Sequence, residues 1–491
     1  MRRFLILILC LISIRLQSQQ WTIAYSVEEG AFLRGGCCDG DGNYIFGVCD
    51  KNAIDEYSNA YAMYVNRNGD YMTRKFCYDY KSELCSAICL DNGNAFVVGI
   101  KGGTFMDHVY DSLWIVIMTP ELEIVEEHSY PFVAPYKTWT SDIYLDFDSE
   151  GDVIVLADVS DKDYPWVTIG VYVVLKCDVS GNVLECQYFS DGHGPGGARP
   201  TGIIRVPNQD KMMLLGKAFD VSGVHTIAYI DNELNLVATY PIPWMERIWN
   251  YSSCWKDENH FLMASQTSYY NVDDSYFAAV FEVDDSGHYV DTLVYDRADT
   301  ADYTAQYGSM AYYSDDAIYI TTYWENGLNN TPNDVVVLMI DKNLNLLGVK
   351  KLVYYDVKMR PLHCQKTADG GCLVYGKCNK SSGDEVVIVW KLLPQDFIIP
   401  WTLTEMPEVS QYQNVYPNPV ADCLNIVLQC GDSHRVVVNV SDMDGRKCFE
   451  RRFENCEGLL TIDVSAFLNG MYVYEVVKDG KHIMSGKFIK D

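Results

Sequence analysis

One strand pattern repeats seven times between residues 21 and 394, and it limits the fold more than any other feature of the chain. Each copy has an apolar strand, a turn, a second strand that ends on a small residue, a polar segment, a third strand, a turn and a fourth strand. The first turn and second strand recur every 49 to 59 residues, at 41–47, 92–99, 150–156, 209–216, 258–263, 315–320 and 370–376. Asn-Gly and Asp-Gly pairs at these turns supply the positive φ that a tight hairpin needs. The pattern therefore predicts a series of four-stranded antiparallel sheets.

The later strands of each copy carry their own signals. Third strands end in turns of two kinds, one at 66–69, 178–181 and 284–287 and a sister type at 230–235 and 340–345. Six fourth strands carry a tyrosine near their end, at Tyr78, Tyr130, Tyr188, Tyr240, Tyr295 and Tyr354.

The seventh copy has only three strands and ends at 386–391, before Pro394. Residues 21–27 form an orphan strand of the fourth type, including its tyrosine, Tyr25. A strand from the N-terminus that completes the last sheet closes a ring and removes two open sheet edges. A repeat of this length with four strands resembles a β-propeller. We therefore predict an all-β fold with a seven-bladed β-propeller over residues 19–394, closed by the strand at 21–27.

The remainder of the chain divides in two. Residues 395–413 include Pro400 and Pro407, have no strand period and indicate a linker. Beyond them, short alternating segments such as 424–428 and 436–440 are separated by turn residues every 10 to 15 positions. This pattern favours a small antiparallel sandwich.

The tail also carries an ordered set of motifs. These are Tyr416-Pro417-Asn418-Pro419, then Asp444-Gly445, then Gly470 and Tyr472, and finally Lys487 close to the C-terminus. The set resembles the C-terminal sorting domain of the type IX secretion system of Bacteroidota, over residues 414–491. The resemblance implies an immunoglobulin-like β-sandwich that is recognised by the type IX machinery. It also implies passage through the periplasm, removal of the tail near the linker, and a secreted or outer-membrane surface location, with anchoring and release both left open.

The N-terminus is typical of an exported protein. Arg2 and Arg3 precede an apolar run at 4–14, which is long enough for a signal peptide and too short to span a bilayer. We predict a signal peptide at 1–18. No later segment has 18 consecutive apolar residues, so we expect no transmembrane segment in the mature chain.

The net charge of −29 is spread along the chain. It argues against nucleic acid and anionic lipid as partners, because both require local positive potential. Of the 17 cysteines, Cys10 falls in the predicted signal peptide, which leaves 16. Cys177 and Cys186 flank a turn and are expected to lie roughly opposite each other, and Cys448 and Cys456 have similar spacing. Disulfides and free thiols both remain open.

Metal and catalytic motifs are weak. The segment 146–152 imitates the first half of an EF-hand loop, but its twelfth position is Ala157, and a hairpin turn explains it better. His193 lies in a glycine-rich segment at 191–197 with no predicted helix to complete a phosphate site. No G-x-S-x-G or H-E-x-x-H motif and no Cys/His zinc spacing occurs. We predict no metal or cofactor, with weak calcium binding left open, and the catalytic residues, if any, stay unknown.

The best positional indication of function is aromatic. The chain has 36 Tyr and 10 Trp, many of them in segments between fourth and first strands or between second and third strands, which emerge on one face of a propeller. Such rings anchor protein partners and stack on sugars, although they also fill gaps between blades. The candidate ligand-binding residues are Trp139, Trp166, Trp244, Trp249, Tyr269, Tyr270 and Trp324.

Three functions follow from these observations. The first is an exported propeller that binds a glycan or a protein on its aromatic face. The second is a hydrolase or lyase acting on polysaccharide or peptide, for which acidic side chains, with Arg199 or Arg247, would converge in the funnel with raised pKa values. The third is a structural surface protein that associates with itself.

Overall fold

A computed structural model describes most of the β-structure of the chain. The described residues are 21–26, 32–49, 60–76, 82–102, 111–133, 136–137, 142–161, 171–190, 200–217, 225–242, 249–268, 276–295, 302–305, 308–324, 335–352, 357–380, 385–397, 414–416, 420, 422–427, 436–442, 446–453, 459–478 and 481–490. The chain divides into two compact units, residues 1–400 and 401–491.

The described part of the first unit contains seven antiparallel sheets, which we call blades one to seven in chain order. Blade one comprises β2 (Phe32–Cys38), β3 (Tyr44–Cys49), β4 (Ala60–Val65) and β5 (Tyr71–Phe76). Blade two comprises β6 (Ser82–Cys89), β7 (Ala95–Lys101), β8 (Ser112–Met118) and β9 (Ile124–Pro131). Blade three comprises β11 (Ile143–Phe147), β12 (Val153–Asp161), β13 (Val171–Cys177) and β14 (Val183–Ser190), with the short β10 (Tyr136–Lys137) on the end of β12.

The remaining blades follow the same order. Blade four comprises β15 (Pro200–Arg205), β16 (Lys211–Lys217), β17 (His225–Asp231) and β18 (Leu236–Ile242). Blade five comprises β19 (Trp249–Trp255), β20 (His260–Ser268), β21 (Tyr276–Asp284) and β22 (Tyr289–Tyr295). Blade six comprises β23 (Asp302–Thr304) and β24 (Met310–Ser314), which both pair with β25 (Ala317–Trp324), then β26 (Val335–Ile340) and β27 (Leu346–Leu352). Blade seven comprises β28 (Val357–Lys366), β29 (Cys372–Lys380), β30 (Glu385–Leu392) and β1 (Trp21–Ser26).

The blades form a closed ring. The first strand of each blade contacts that of the next, and β28 of blade seven contacts β2 of blade one. Seven apolar clusters lie between successive blades, each with residues from both neighbours. The cluster between blades seven and one joins Tyr375 and Val389 to Phe46 and Met63. The predicted all-β, seven-bladed propeller is confirmed.

The last blade is completed by the N-terminal strand. β1 pairs antiparallel with β30, and Ile23 lies opposite Val389. Ile23 is 6% exposed within the cluster between blades seven and one. The first strand of the described chain therefore joins the last sheet of the ring, which leaves β30 with no free edge.

Acidic residues and glycines build the repeated turns. In the turn from β13 to β14, Oδ1 of Asp178 accepts hydrogen bonds of 2.9 Å from the N–H groups of Ser180 and Asn182. Gly181 takes φ 89°, a conformation that favours glycine. The same Asx turn recurs at Asp39 and Asp284.

The sister turns use leucine where the others use glycine. Leu234 has φ 58° and Leu344 has φ 63°, a left-handed backbone that costs an ordinary residue about 1–2 kcal/mol. Both side chains are buried, Leu234 in the cluster between blades three and four and Leu344 in the cluster between blades five and six. The apolar contact with a neighbouring blade offsets the backbone strain.

The predicted opposition of Cys177 and Cys186 is wrong. Cys177 lies opposite Val183 and Cys186 lies opposite Leu175, because the chain reverses at residues 178–182 rather than midway between the two cysteines, and a register shift between Lys176 and Cys177 accompanies that turn. The extra residue of the bulge arises because the turn at 178–182 is one residue longer than a tight two-residue hairpin permits. Both cysteines are free thiols.

The first described residues of the predicted linker belong to the propeller core. Pro394–Asp396 forms a single 3₁₀ turn, and a carboxylate oxygen of Asp396 accepts the N–H of Leu393 at 2.7 Å. Phe397 is buried, with its ring 5.3 Å from that of Tyr319 in blade six. The ordered propeller therefore extends a few residues beyond its last strand.

The second unit contains two sheets. One comprises β31 (Asn414–Tyr416), β32 (Cys423–Val427) and β35 (Leu459–Asp463), and the other comprises β33 (Val436–Asp442), β34 (Lys447–Phe453), β36 (Gly470–Lys478) and β37 (Lys481–Lys490). Alternate residues of both sheets share one apolar core, which includes Ile426, Ile462, Val438, Tyr474 and Phe488. The two sheets form a sandwich, and its immunoglobulin-like topology stays a prediction. In the part of the chain that the structure covers, no helix has the length and apolarity to cross a membrane.

Candidate functional site

A polar channel lies on the axis of the propeller. Its cavity of about 240 Å³ is lined by the first strands β2, β6, β11, β15, β19 and β28. Each of these strands is the edge of its sheet, so outward backbone N–H and C=O groups face the channel, although in β28 the N–H of Cys364 donates to the carbonyl of Gly308 in blade six at 2.5 Å. The wall therefore offers both donors and acceptors of hydrogen bonds.

Five of the described first strands carry a bulge at the level of the channel. Each has one extra residue relative to the second strand, at the register shifts beginning at Leu33, Leu84, Pro200, Asn250 and Pro361. A bulge leaves one residue out of the ladder and re-aims its neighbours. Pairing resumes after three of these bulges at a small residue, Gly36, Gly202 or Ser252, and all three line the cavity.

The bulges also explain the small residue near the end of the second strands. A Cβ at Gly99 would lie 2.0 Å from the carbonyl oxygen of Glu83 in the bulged first strand. A Cβ at Gly47 would lie 2.6 Å from the carbonyl oxygen of Leu84 in the next blade. The small residue is therefore required by the close approach of backbone near the channel.

The channel is lined by apolar side chains such as Ile143, Leu145 and Ile203 and by neutral polar ones. The polar side chains include Ser86, Tyr144, Thr201, Ser252, Ser253, His363 and Gln365. In the described part of the chain, Oγ1 of Thr201 and Oε1 of Gln365 are buried and lack a hydrogen-bond partner. The ring of His363 stacks on Tyr375 at 5.2 Å and 14°. Each of these two oxygens is an unused hydrogen-bond acceptor in the wall of the channel.

Carboxylates do not converge in the described part of the channel. Among the lining residues, Asp142 is the one acidic side chain. Burial raises the pKa of the nearby Asp146, but its Oδ2 accepts the backbone N–H of Arg205 in blade four at 2.8 Å. Asp146 therefore serves to join two first strands. Arg199 and Arg247 lie outside the described residues.

The calcium-like segment forms the turn between β11 and β12. Oδ1 of Asp148 accepts the N–H groups of Glu150 and Asp152 at 2.9 Å, which makes the same Asx turn as in other blades. The carboxylates of these three residues converge, and the ammonium of Lys176 lies among them at 2.9, 2.6 and 3.5 Å. The protein itself supplies a cation at this cluster.

The structure places few of the predicted ligand-binding aromatics. Trp139, Trp166, Trp244, Tyr269 and Tyr270 lie outside the described residues. Trp249 begins β19 and Trp324 ends β25, and for both residues the structure describes the strand position but not the side chain. The start of a first strand and the end of the antiparallel second strand are at the same end of a sheet, so both positions are at the end of the propeller that the sequence indicated.

The predicted sorting residues are dispersed over the second unit. Pro417, Asn418, Pro419, Asp444 and Gly445 lie outside the described residues. Tyr416 ends β31, Gly470 begins β36, and Lys487 lies in β37 opposite Val473. Tyr472 is in the core, where its ring stacks on Phe488 at 5.5 Å and its hydroxyl donates to the carbonyl of Leu468 at 2.8 Å. Its described role is structural.

Sequence reasoning missed the channel residues. The first strands contain pairs of small or polar residues within an apolar pattern, such as Gly35-Gly36, Thr201-Gly202 and Ser252-Ser253. Such pairs interrupt strand alternation and are a usual signal of a bulge or a close backbone approach. That signal indicates where the first strands bulge, but not which side chains meet at the channel.

Comparison with solved structures finds related shapes at low identity. A luciferin-regenerating enzyme is 10% identical, with 70% of this chain and 99% of that chain covered and a TM-score of 0.37. The polysaccharide lyase Uly1 is 10% identical, with 75% and 98% covered and a TM-score of 0.39. YCF48 bound to a D1 peptide is 8% identical, with 76% and 95% covered and a TM-score of 0.42. No curated protein sequence matches the chain.

A family model matches the second unit. Residues 414–491 match the secretion system C-terminal sorting domain, Por_Secre_tail, which agrees with the resemblance found in the motifs. This tail marks proteins that are exported to the cell surface or secreted. The chain therefore carries a type IX secretion sorting domain at residues 414–491, joined to a β-propeller with a polar axial channel.

Proposed function

We propose that this protein is an exported binding protein that holds a glycan segment at the mouth of the propeller channel. The observation that carries the proposal is the channel wall, where neutral polar groups line a cavity of about 240 Å³. A sugar hydroxyl both donates and accepts hydrogen bonds, so it matches a wall that has both kinds of group. The buried oxygens of Thr201 and Gln365 are two such acceptors, and the Thr201 hydroxyl is also a donor.

The aromatic residues support the same ligand class. Trp249 and Trp324 lie at one end of their sheets, and Trp139, Trp166 and Trp244 belong to segments that connect to that end in sequence. Aromatic faces stack on sugar rings, while the channel supplies hydrogen bonds. Under this proposal, the rings hold the flanking sugar units and the channel receives one substituent or unit.

The test is a glycan-binding screen of the exported protein, followed by measurement of the affinity of variants. The change Thr201→Val keeps the side-chain shape and removes the hydroxyl, and Gln365→Leu removes the amide. We expect each to weaken binding by roughly three- to tenfold, the value of a neutral hydrogen bond. Gln187→Leu, on the exposed face of the outer strand β14, is the matched control.

Joint replacement of Trp139, Trp166, Trp249 and Trp324 by alanine tests the aromatic part of the site. If that variant keeps its affinity for the glycan, the proposed aromatic binding site at the mouth of the channel is wrong. If the same site binds a protein and no glycan, the proposed site stands and the proposed ligand class is wrong.

An enzyme acting on polysaccharide or peptide is the second candidate. Asp142, Tyr144 and His363 line the same cavity and include the side-chain types used in general acid–base catalysis. Cleavage of a bound glycan, abolished by Asp142→Asn or His363→Gln, would establish it. If the bound glycan is unchanged after prolonged incubation, the enzyme is rejected and a binding protein remains the proposal.

A further inference from the structure

Two cysteines from adjacent blades meet in the apolar cluster between blades one and two. Cys37 lies in β2 of blade one, and Cys89 ends β6 of blade two. Their sulfur atoms are 2.8 Å apart, which is inside van der Waals contact of two sulfurs and less than an ångström longer than the roughly 2 Å of a disulfide bond. Cys37 is 5% exposed, and Cys89 is partly buried.

A bulge aims Cys89 at blade one. In a regular strand, residues at odd spacing from Leu84 would face the opposite side of the sheet from it. The register shift between Leu84 and Ser86 reverses the alternation, so that Ala87 and Cys89 join Leu84 in the cluster between blades one and two. Cys85, at the bulge, faces the cluster between blades two and three.

The neighbouring cysteine of blade one points away. Cys37 belongs to the cluster between blades one and two, whereas Cys38 packs against the cluster between blades seven and one. Adjacent residues of a strand face opposite sides, so Cys38 and Cys37 are not directed at each other. The fold therefore selects Cys89 as the partner of Cys37.

We propose that Cys37 and Cys89 form a disulfide in the exported protein, linking the first strands of blades one and two. Export supplies the setting, because disulfides form and persist outside the cytosol. The more exposed Cys89 thiolate attacks a protein or small-molecule disulfide and forms a mixed disulfide, releasing one thiol of the oxidant. Cys37 then loses its proton and attacks the Cys89 sulfur, which releases the second thiol. Two thiols are oxidised, and one disulfide of the oxidant is reduced to two thiols.

The bond joins parts of the chain that are distant in sequence. It closes the segment from 37 to 89 and restricts the unfolded chain, which is how a disulfide stabilises a protein. The chemistry is independent of the proposed glycan site, because neither sulfur is needed for binding. Failure of one proposal therefore leaves the other intact.

The test is peptide mapping of the full exported chain. The protein is denatured in acid, free thiols are alkylated, and trypsin with Asp-N releases residues 35–38 and 82–90. We expect a linked peptide that is lighter by two hydrogen atoms than the sum of its parts and that separates on reduction. Alkylation of Cys37 and Cys89 without reductant would overturn the proposal.

Cysteine-to-serine variants identify which two cysteines form the disulfide. Because each peptide has two cysteines, the double change Cys38→Ser and Cys85→Ser leaves one possible pair, and the link should persist there. It should be lost in Cys37→Ser. The matched control is Cys254→Ser in the first strand β19 of blade five, whose sulfur contacts the Met310 sulfur at 3.1 Å. A link from Cys37 to any other cysteine would also overturn the assignment, and mapping of the unmodified chain remains decisive if a variant does not fold.

Discussion

The ammonium nitrogen of Lys176 lies 2.9 Å from Oδ2 of Asp148, a residue that is 1% exposed. Burial by itself lowers the pKa of Lys176, but hydrogen bonds to Glu150 and Asp148 outweigh it, so the pKa is raised above its ordinary value. A raised lysine pKa contributes stability at every pH below the value of the unfolded chain, about 10.4, and this stability is lost as pH rises through the folded value. The pair therefore stabilises blade three throughout the neutral range.

Removal of this cation should be costly. Lys176→Met keeps the length of the side chain and leaves the buried Asp148 carboxylate without its partner, so we expect a loss of roughly 3–5 kcal/mol in the free energy of unfolding. Denaturant titration measures it. Lys342→Met is the control, because Lys342 pairs with Asp315 at an exposed site and should change stability little. Equal losses in the two variants would contradict the role of burial.

The leucine turns predict an unusual order of stability. Leu234 has φ 58° and is 2% exposed, so both Leu234→Ala and Leu234→Gly lose its apolar contacts. Glycine also removes the left-handed strain, so Leu234→Gly should be more stable than Leu234→Ala by about 1 kcal/mol. Both should be less stable than the natural protein, with the alanine variant lower by roughly 2–5 kcal/mol.

The reverse order, with alanine the more stable, is expected wherever φ is negative. Thermal or denaturant unfolding of the two variants distinguishes these outcomes. If both variants are as stable as the natural protein, the buried leucine contributes little to the free energy of unfolding.

Closure of the ring should depend on the inward face of β1. Ile23 is 6% exposed, whereas Thr22, its neighbour on the same strand, is exposed. We expect Ile23→Ala to reduce the free energy of unfolding by roughly 2–4 kcal/mol through the buried contacts it removes, and Thr22→Ala to have little effect. Hydrogen exchange at β30 should become faster in Ile23→Ala. Unchanged exchange there would contradict the role of β1 in holding that strand.

Acid should weaken the Asx turns. Burial alone raises the pKa of Asp178, but hydrogen bonds from Asn182 and Ser180 outweigh it and lower the pKa below its ordinary value. A lowered carboxyl pKa contributes stability above the unfolded value, near pH 4, and this contribution is lost as pH falls through the folded value. Asp178→Asn should therefore be less stable than the natural protein at pH 7, and the difference should shrink as pH falls below about 4.

Free energies of unfolding measured across this pH range test the expectation. Asp91→Asn, at an exposed position in the turn between β6 and β7, is the control and should follow the natural protein. A difference between Asp178→Asn and the natural protein that does not vary with pH would assign the effect to shape rather than charge.

The sorting domain predicts the route of the protein. A chain that ends at residue 413 lacks the matched family domain and should stay inside the outer membrane, while the full chain reaches the surface or the medium. Cell fractionation and surface proteolysis measure the two pools. Comparable stability of the truncated propeller, checked by thermal unfolding, would separate loss of export from loss of folding. Export of the truncated chain at the normal level would contradict the assignment.

Much of the architecture was predictable because it depends on local signals. Hairpin turns, strand alternation and the count of copies are properties of neighbouring residues, and they predicted seven blades and an N-terminal strand for the last one. The motifs at Tyr416, Asp444 and Gly470 likewise predicted the sorting tail, since the family is defined by such ordered motifs. The candidate aromatics stay predictions, because the described residues do not include their side chains.

Register and close approach were not predictable in the same way. Cys177 and Cys186 were expected to face each other by counting residues, but the turn at 178–182 places Val183 opposite Cys177 and Leu175 opposite Cys186. Leu234 and Gly181 occupy equivalent turn positions, and only the space beside the neighbouring blade explains the choice: a Cβ at Gly181 would lie 2.9 Å from the His128 ring. The acidic residues at 146–152 imitated part of a calcium loop, although a hairpin turn explained them better, and the structure places Lys176 among three of their carboxylates.

By itself, the sequence determined the repeat, the number of blades and the export signal, because each is written in local pattern. The tertiary structure decided which side chains meet between blades, including the Lys176 ion pair, the buried turn leucines, the channel wall and the contact of Cys37 with Cys89. These contacts join strands of different blades or hairpins. At Cys89 and along the channel wall, bulges that shift a strand by one residue set the alignment. A shift of one residue reverses which face a side chain occupies, and residue spacing along the chain does not reveal it.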